Sequence, residues 1–190
     1  MKTIAVVATD MNGVIAKNGS IPWRCPEDLK NFQKLTENSL LLCGRTTFET
    51  LPNKMIDSFS STGRMLIVFT KNPKALYEKY PELKENLNIS VTDSGVGSLL
   101  SSLKNFAFMW ERLVVIGGSS VYEQAIPQVD YIYQSIIHTA TPFDVCEDDI
   151  DTFSTVGIDG VNDCWKSEVE SVFSGDGASL GFTLYKHTRV

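Results

Sequence analysis

The sequence predicts an α/β fold: a central, mostly parallel twisted sheet with flanking helices and an antiparallel hairpin at its C-terminal edge. Two observations carry this expectation. Apolar, β-branched runs alternate with helical patterns as far as about residue 138. Beyond that the pattern changes to two alternating segments, 165–173 and 180–187, joined by the turn-rich Ser174-Gly175-Asp176-Gly177.

Strands are expected at residues 3–9, 39–43, 65–70, 88–91, 112–116 and 131–138, and their apolar continuity implies burial on both faces. Helices are expected at 26–37, 46–51, 73–80, 96–106 and 119–125, several opened by proline or serine where N-terminal caps belong. The acidic stretch 144–152 reads as a solvated loop.

With 190 residues the chain fits one domain, 1–190, large enough to bury a core without disulfide or metal support. No apolar run is long enough to cross a bilayer, and MKTIAVVATD turns polar too soon for a signal peptide, so no membrane partner and a cytoplasmic location are expected. A formal charge of −6 argues against nucleic-acid binding, which needs a basic stripe. Cys25, Cys43, Cys146 and Cys164 form no C-x-x-C pair, and only His138 and His187 could add imidazole ligands. No metal site and reduced thiols follow.

Three segments could carry chemistry. The first is Ile21-Pro22-Trp23-Arg24-Cys25-Pro26-Glu27-Asp28-Leu29-Lys30-Asn31-Phe32. Pro26 suits a first helical turn, and Glu27 and Asp28 complement the positive helix end, so a well-capped helix explains them without catalysis. Trp23, Leu29 and Phe32 nevertheless set the Asp28 carboxylate beside an apolar wall. Such a group can make a charge-assisted, two-pronged bond to an N–C–N edge, and burial raises its proton affinity.

The second is Leu40-Leu41-Leu42-Cys43-Gly44-Arg45-Thr46-Thr47-Phe48-Glu49, a strand running through a glycine into a helix start. Free N–H groups, a guanidinium and two hydroxyls suit a phosphate; a capped turn is the alternative. The third is Leu113-Val114-Val115-Ile116-Gly117-Gly118-Ser119-Ser120-Val121-Tyr122-Glu123, whose paired glycines let backbone approach a ligand at a strand's carboxyl end. The ordinary G-x-G-x-x-G dinucleotide fingerprint is missing after the first strand.

Together, in this order and spacing, the three segments resemble dihydrofolate reductase. The resemblance runs from Ile4 to about His138, adds residues 182–186 as a final strand, and includes Asn12-Gly13-Val14-Ile15-Ala16. It implies a dihydrofolate-reductase-like domain that uses NADPH to reduce dihydrofolate. The family's W-x-x-P-x-D-L falls on Trp23, Pro26, Asp28 and Leu29, making Asp28 and Trp23 the catalytic candidates.

By the same resemblance the substrate pocket is lined by Val7, Ala8, Ile21, Asp28, Leu29, Phe32, Leu51, Ile116 and Ser135, with Arg64 gripping the α-carboxylate of the glutamate tail. The apolar members are each explicable as core, and Arg64 as an exposed salt-bridge arginine. Thr36 and Ser135 fall where hydrogen-bond networks lie near the pocket, Ser135 replacing the more usual threonine. The cofactor candidates are Ala8, Ile15, Gly44, Arg45, Thr46, Thr47, Thr70, Lys71, Ile116, Gly117, Gly118, Ser119, Ser120, Val121 and Tyr122. Arg45 and Lys71 would favour NADPH over NADH through the 2′-phosphate, and Gly117-Gly118 would carry a cis peptide. A monomer open to antifolate inhibitors is expected.

Departures are Ala16 in place of glycine, Cys25 in an aliphatic slot, Ser120 in place of a basic residue, and a longer loop at 53–62. A pyrimidine reductase of riboflavin synthesis would share fold and cofactor but lack the W-x-x-P-x-D-L acid. A non-catalytic scaffold would have no need of Asp28 and Arg45, and a hydrolase would need a histidine beside Ser or Cys that no motif supplies.

Overall fold

Leucine, valine and isoleucine runs build the strands, and proline or asparagine opens several helices. The computed structural model describes residues 1–103, 105, 109–145, 149–153, 164–176 and 179–190. In chain order the elements are β1 (Lys2–Thr9), β2 (Val14–Lys17), α1 (Pro26–Thr36), β3 (Ser39–Gly44), α2 (Arg45–Thr50), α3 (Asn53–Asp57), β4 (Met65–Phe69), α4 (Pro73–Lys79), β5 (Ile89–Thr92), α5 (Val96–Leu103), β6 (Arg112–Val115), α6 (Ser119–Ala125), β7 (Tyr131–Ile137), β8 (Ile150–Thr152), β9 (Trp165–Phe173) and β10 (Phe182–Arg189). The sheet is mostly parallel with antiparallel C-terminal strands, as expected.

The chain divides into two compact units. The first comprises Met1–Thr3 and Thr36–Gln128, the second Ile4–Leu35 and Val129–Val190. In the first, strands run in the order β5-β4-β3-β6, every neighbouring pair parallel. Leu41, Leu66, Leu113 and Val114 are fully buried there, matching apolar runs covered on both faces.

In the second unit the order is β1-β7-β10-β9. β1 and β7 are parallel, with Ala8 beside Ser135, while β7, β10 and β9 form the antiparallel part. Cys25, Ile137, Phe182 and Leu184 make a core cluster, against which Ala8, Trp23 and Tyr133 pack. Cys25 thus fills its aliphatic slot as a buried thiol, donating to the Leu180 carbonyl at 3.2 Å.

Among the described residues β9 has a strand partner on one side only, and it is exposed along most of its length. A register shift at Leu184/Tyr185 bulges the hairpin, and Lys166 pairs with Glu168 along the edge. Behind it a polar chain runs from exposed Ser167 inward across the strands. Ser167 Oγ lies 2.7 Å from His187 Nδ1, His187 Nε2 lies 3.1 Å from Gln134 Oε1, and Gln134 Nε2 donates to Thr9 Oγ1 at 3.1 Å.

Two expectations need correction. The acidic stretch is not loop throughout, because residues Ile150–Thr152 form β8, which pairs antiparallel with β2. Both strands are too short to show a period, and tertiary pairing creates them. Nor is the longer stretch 53–62 simply a loop: it holds α3 and a 3-10 turn at Ser60–Thr62, with Phe59 fully buried. Of the predicted helix 96–106, residues 104 and 106 lie outside the described residues, as do Cys146, within the predicted acidic stretch, and Gly177, at the end of the predicted turn.

Leu41 has no exposed surface at the centre of β3. Leu41→Ala is expected to destabilise the protein by about 2–5 kcal/mol, the usual range for a large-to-small core change. The shift of the urea unfolding midpoint measures it, and an unmoved midpoint would contradict this packing.

Candidate active site

The candidates fall into two groups, one in each unit. In the second unit α1 starts at Pro26, with the Leu29 N–H donating to the Cys25 carbonyl at 3.1 Å. That start sets Asp28 in the first turn. The Ser135 hydroxyl of β7 hydrogen-bonds the Asp28 carboxylate, and Ser135 is itself buried beside Ala8. Burial pushes the Asp28 carboxyl above the ordinary carboxylate range, and the Ser135 bond offsets part of that rise.

Strand alternation sorts the β1 candidates. Ala8 shares the sheet face of its register partner Ser135, as does Val6, which sequence reasoning did not single out. Val7 lies on the opposite face with Gln134 and Thr9. Ile21 is 65% exposed and Leu29 51% exposed, so neither is a core residue, whereas Phe32 and Trp23 are half-buried.

Asp10 is the other organising acid of this unit, and no motif in the sequence points to it. Only 1% exposed, it accepts from the N–H groups of Asn12 and Val14 through Oδ1, both at 2.9 Å, and of Phe143 through Oδ2 at 2.7 Å. These bonds fix the turn leading into buried Ile15. The Phe143 ring then lies 6.3 Å from that of Trp23.

In the first unit the two glycine segments meet. The Gly44 N–H at the end of β3 donates to the Gly117 carbonyl at 2.7 Å, and Gly117-Gly118 is a cis peptide. Gly117 has φ +105°, and a Cβ there would lie 3.0 Å from the Tyr122 ring. A Cβ on Gly118 would reach the Thr47 hydroxyl at 3.3 Å, and one on Gly44 the Val121 side chain at 3.2 Å. The backbone is therefore bare where α2 and α6 begin, with Ser119 half-buried, Ser120 and Thr46 exposed, and Ile116, Val121 and Tyr122 buried. Burial pushes the Tyr122 phenol well up, so it stays protonated.

Arg45 is exposed and donates to Glu49 at 2.5 Å, while Lys71 is exposed just beyond buried Thr70, whose hydroxyl accepts from the Asn72 N–H at 3.2 Å. Leu51 is half-buried at the end of α2. Arg64 is no exposed salt-bridge residue: it is 3% exposed, and its Nε–H lies 3.1 Å from both the carbonyl and the hydroxyl of Thr36. Burial lowers its proton affinity, and the Glu37 charge partly restores it. Among the described residues no cluster of ligating side chains could hold a metal ion.

A bare glycine turn flanked by hydroxyls and cations in one unit, and a half-buried carboxylate beside an apolar wall in the other, are features of an oxidoreductase that handles a nucleotide cofactor. A family model described as dihydrofolate reductase matches residues 2–162. The chain therefore belongs to the dihydrofolate reductase family. It is 31% identical over 139 residues to dihydrofolate reductase type 9 of Escherichia coli, covering 73% of this chain and 72% of that one. It is 29% identical over 134 residues to dihydrofolate reductase of Enterococcus faecium, covering 70% of each. Among solved structures it is similar to dihydrofolate reductase from Enterococcus faecalis complexed with NADP(H) and RAB-propyl, at 26% identity and a TM-score of 0.68, over 99% of this chain and 96% of that one.

Because the folded state holds Asp28 at a raised pKa, it binds more protons than the unfolded chain between the two values. Stability contributed by Asp28 therefore falls as pH rises from the ordinary carboxylate range through the folded value. Asp28→Asn is expected to gain stability over wild type above that window and to lose the advantage below it. Urea titrations between about pH 3 and 8 measure the difference, and a pH-independent difference would contradict the shift.

Proposed function

We propose that this chain reduces 7,8-dihydrofolate to 5,6,7,8-tetrahydrofolate, with NADPH as reductant and Asp28 orienting the pterin. The observation that carries the reading is the half-buried Asp28 carboxylate, bonded to buried Ser135 on one side of its apolar setting. A carboxylate there pairs in two-pronged fashion with the pterin 2-amino group and N3. Trp23 and half-buried Phe32 supply apolar surface for a flat ring, with exposed Ile21 and Leu29 as the outer wall. Ala8 and Val6 share the face of Ser135, while Val7 contributes through backbone alone.

The first unit fits the cofactor. A Cβ at Gly44, Gly117 or Gly118 would crowd the turn that a dinucleotide backbone has to approach. Gly44, Thr46, Thr47 and the Ser119–Ala125 helix start would hold the phosphates; Arg45 and Lys71 would hold the 2′-phosphate. Bound NADPH supplies the hydride that reduces C6 of the pterin. Asp28 promotes delivery of a solvent proton to N5 through water, so one hydride and one proton complete the reduction. Arg64 would bind the substrate's tail carboxylate through its guanidinium, with Thr36 fixing the orientation of its Nε.

The W-x-x-P-x-D-L acid favours this substrate over a riboflavin-pathway pyrimidine. One dihydrofolate-reductase-like domain over residues 1–190, monomeric, cytoplasmic and open to antifolates at Asp28, completes the reading; among the described residues no helix is long and apolar enough to cross a membrane.

The test is dihydrofolate-dependent NADPH oxidation, followed by absorbance across pH. Asp28→Asn is expected to lose on the order of 100-fold or more in turnover at neutral pH, the range of general acid–base catalysis. Part of the loss should return in acid, where substrate arrives already protonated. No turnover by folded wild type would reject the function, and full neutral activity in the variant would remove Asp28 from it.

A further inference from the structure

Helix α4 brings a cation to the cofactor side of the first unit. Asn72 caps it by accepting from the Ala75 N–H at 3.1 Å, Pro73 occupies the first turn, and buried Leu76 anchors its inner face. Tyr80, just past its end, packs edge-on against buried Phe48 of α2 with ring centroids 5.6 Å apart. That contact docks the last turn of α4 against α2. Lys79 Nζ consequently lies 2.7 Å from Glu49 Oε1 and 5.2 Å from the Tyr80 ring centroid.

Glu49 is the shared partner. Its Oε2 accepts from Arg45 at 2.5 Å while Oε1 takes Lys79, and its side chain is only 16% exposed. An unneutralised carboxylate in this place would compete with a phosphate for Arg45 and repel that phosphate directly. With Lys79 present the trio carries a net positive charge, and Glu49 keeps a partner when Arg45 turns away.

We propose that Lys79 is a positioning residue that sets cofactor specificity, holding Glu49 so that Arg45 is released to the 2′-phosphate of NADPH. The inference rests on the reading of Arg45 as a cofactor-phosphate ligand. NADH has no 2′-phosphate, so Lys79 acts on the preference between the two cofactors rather than on dinucleotide binding in general.

Calorimetric Kd values for NADPH and NADH on the purified, full-length protein test this without reliance on turnover. In Lys79→Met the NADPH-to-NADH affinity ratio should fall roughly three- to fivefold, the scale of a partly exposed ion pair, and Lys79→Arg should restore it. The fall should shrink as salt is raised. In a Glu49→Gln background the further change Lys79→Met should leave the ratio where Glu49→Gln alone puts it, since no carboxylate remains to be held. An unmoved ratio in Lys79→Met, or a full fall persisting in the Glu49→Gln background, overturns the inference while leaving NADPH binding by wild type intact. Failure of folded wild type to bind NADPH removes the cofactor reading, and the role of Lys79 with it.

Discussion

Taking a carboxylate out of water is costly, and a hydroxyl donor returns only part of what solvation supplied. Asp28 meets that condition through Ser135, and the surrounding second unit is arranged to hold it there. Pro26 sets the start of α1, Cys25 seals the core below it, and parallel pairing places Ala8 beside the serine. The retained penalty is what raises the proton affinity of the acid. A better solvated Asp28 would make a more stable fold with a less responsive acid.

The first unit is organised differently, around bare backbone and loosely committed charges. Its glycines pack tightly through the Gly44 to Gly117 bond. The guanidinium of Arg45 is exposed and paired with a carboxylate that has a second cation to turn to. Arg64 follows the opposite rule, with its Nε committed to Thr36 in a buried site. One arginine therefore lies at the surface in a shared ion pair, and the other is held in a buried site.

Much of this was legible in the sequence, and what was not has physical reasons. Long apolar runs such as Leu40-Leu41-Leu42 announce β3 because burial on both faces leaves no room for polar residues. Asp28 could be singled out because Trp23, Pro26 and Leu29 stand at fixed spacing around it. β2 and β8 escaped notice because neither strand exceeds four residues and each exists through the other. Lys79 and Glu49 are thirty residues apart, and only the packing of Tyr80 on Phe48 makes them neighbours. The divergence of Val6 and Val7 between faces is a matter of register, which composition does not carry.

The outer hairpin strand β9 poses a solubility problem that its own residues answer. An unpaired row of backbone donors and acceptors is a template on which further chains can grow. The Lys166 and Glu168 side chains would have to be desolvated, or matched in register, before another strand could lie alongside. The irregularity at Leu184/Tyr185 twists the ribbon away from the flat geometry that stacking needs. Val169 and Val172 can therefore stand exposed on this strand without making it a seed for fibrous assembly.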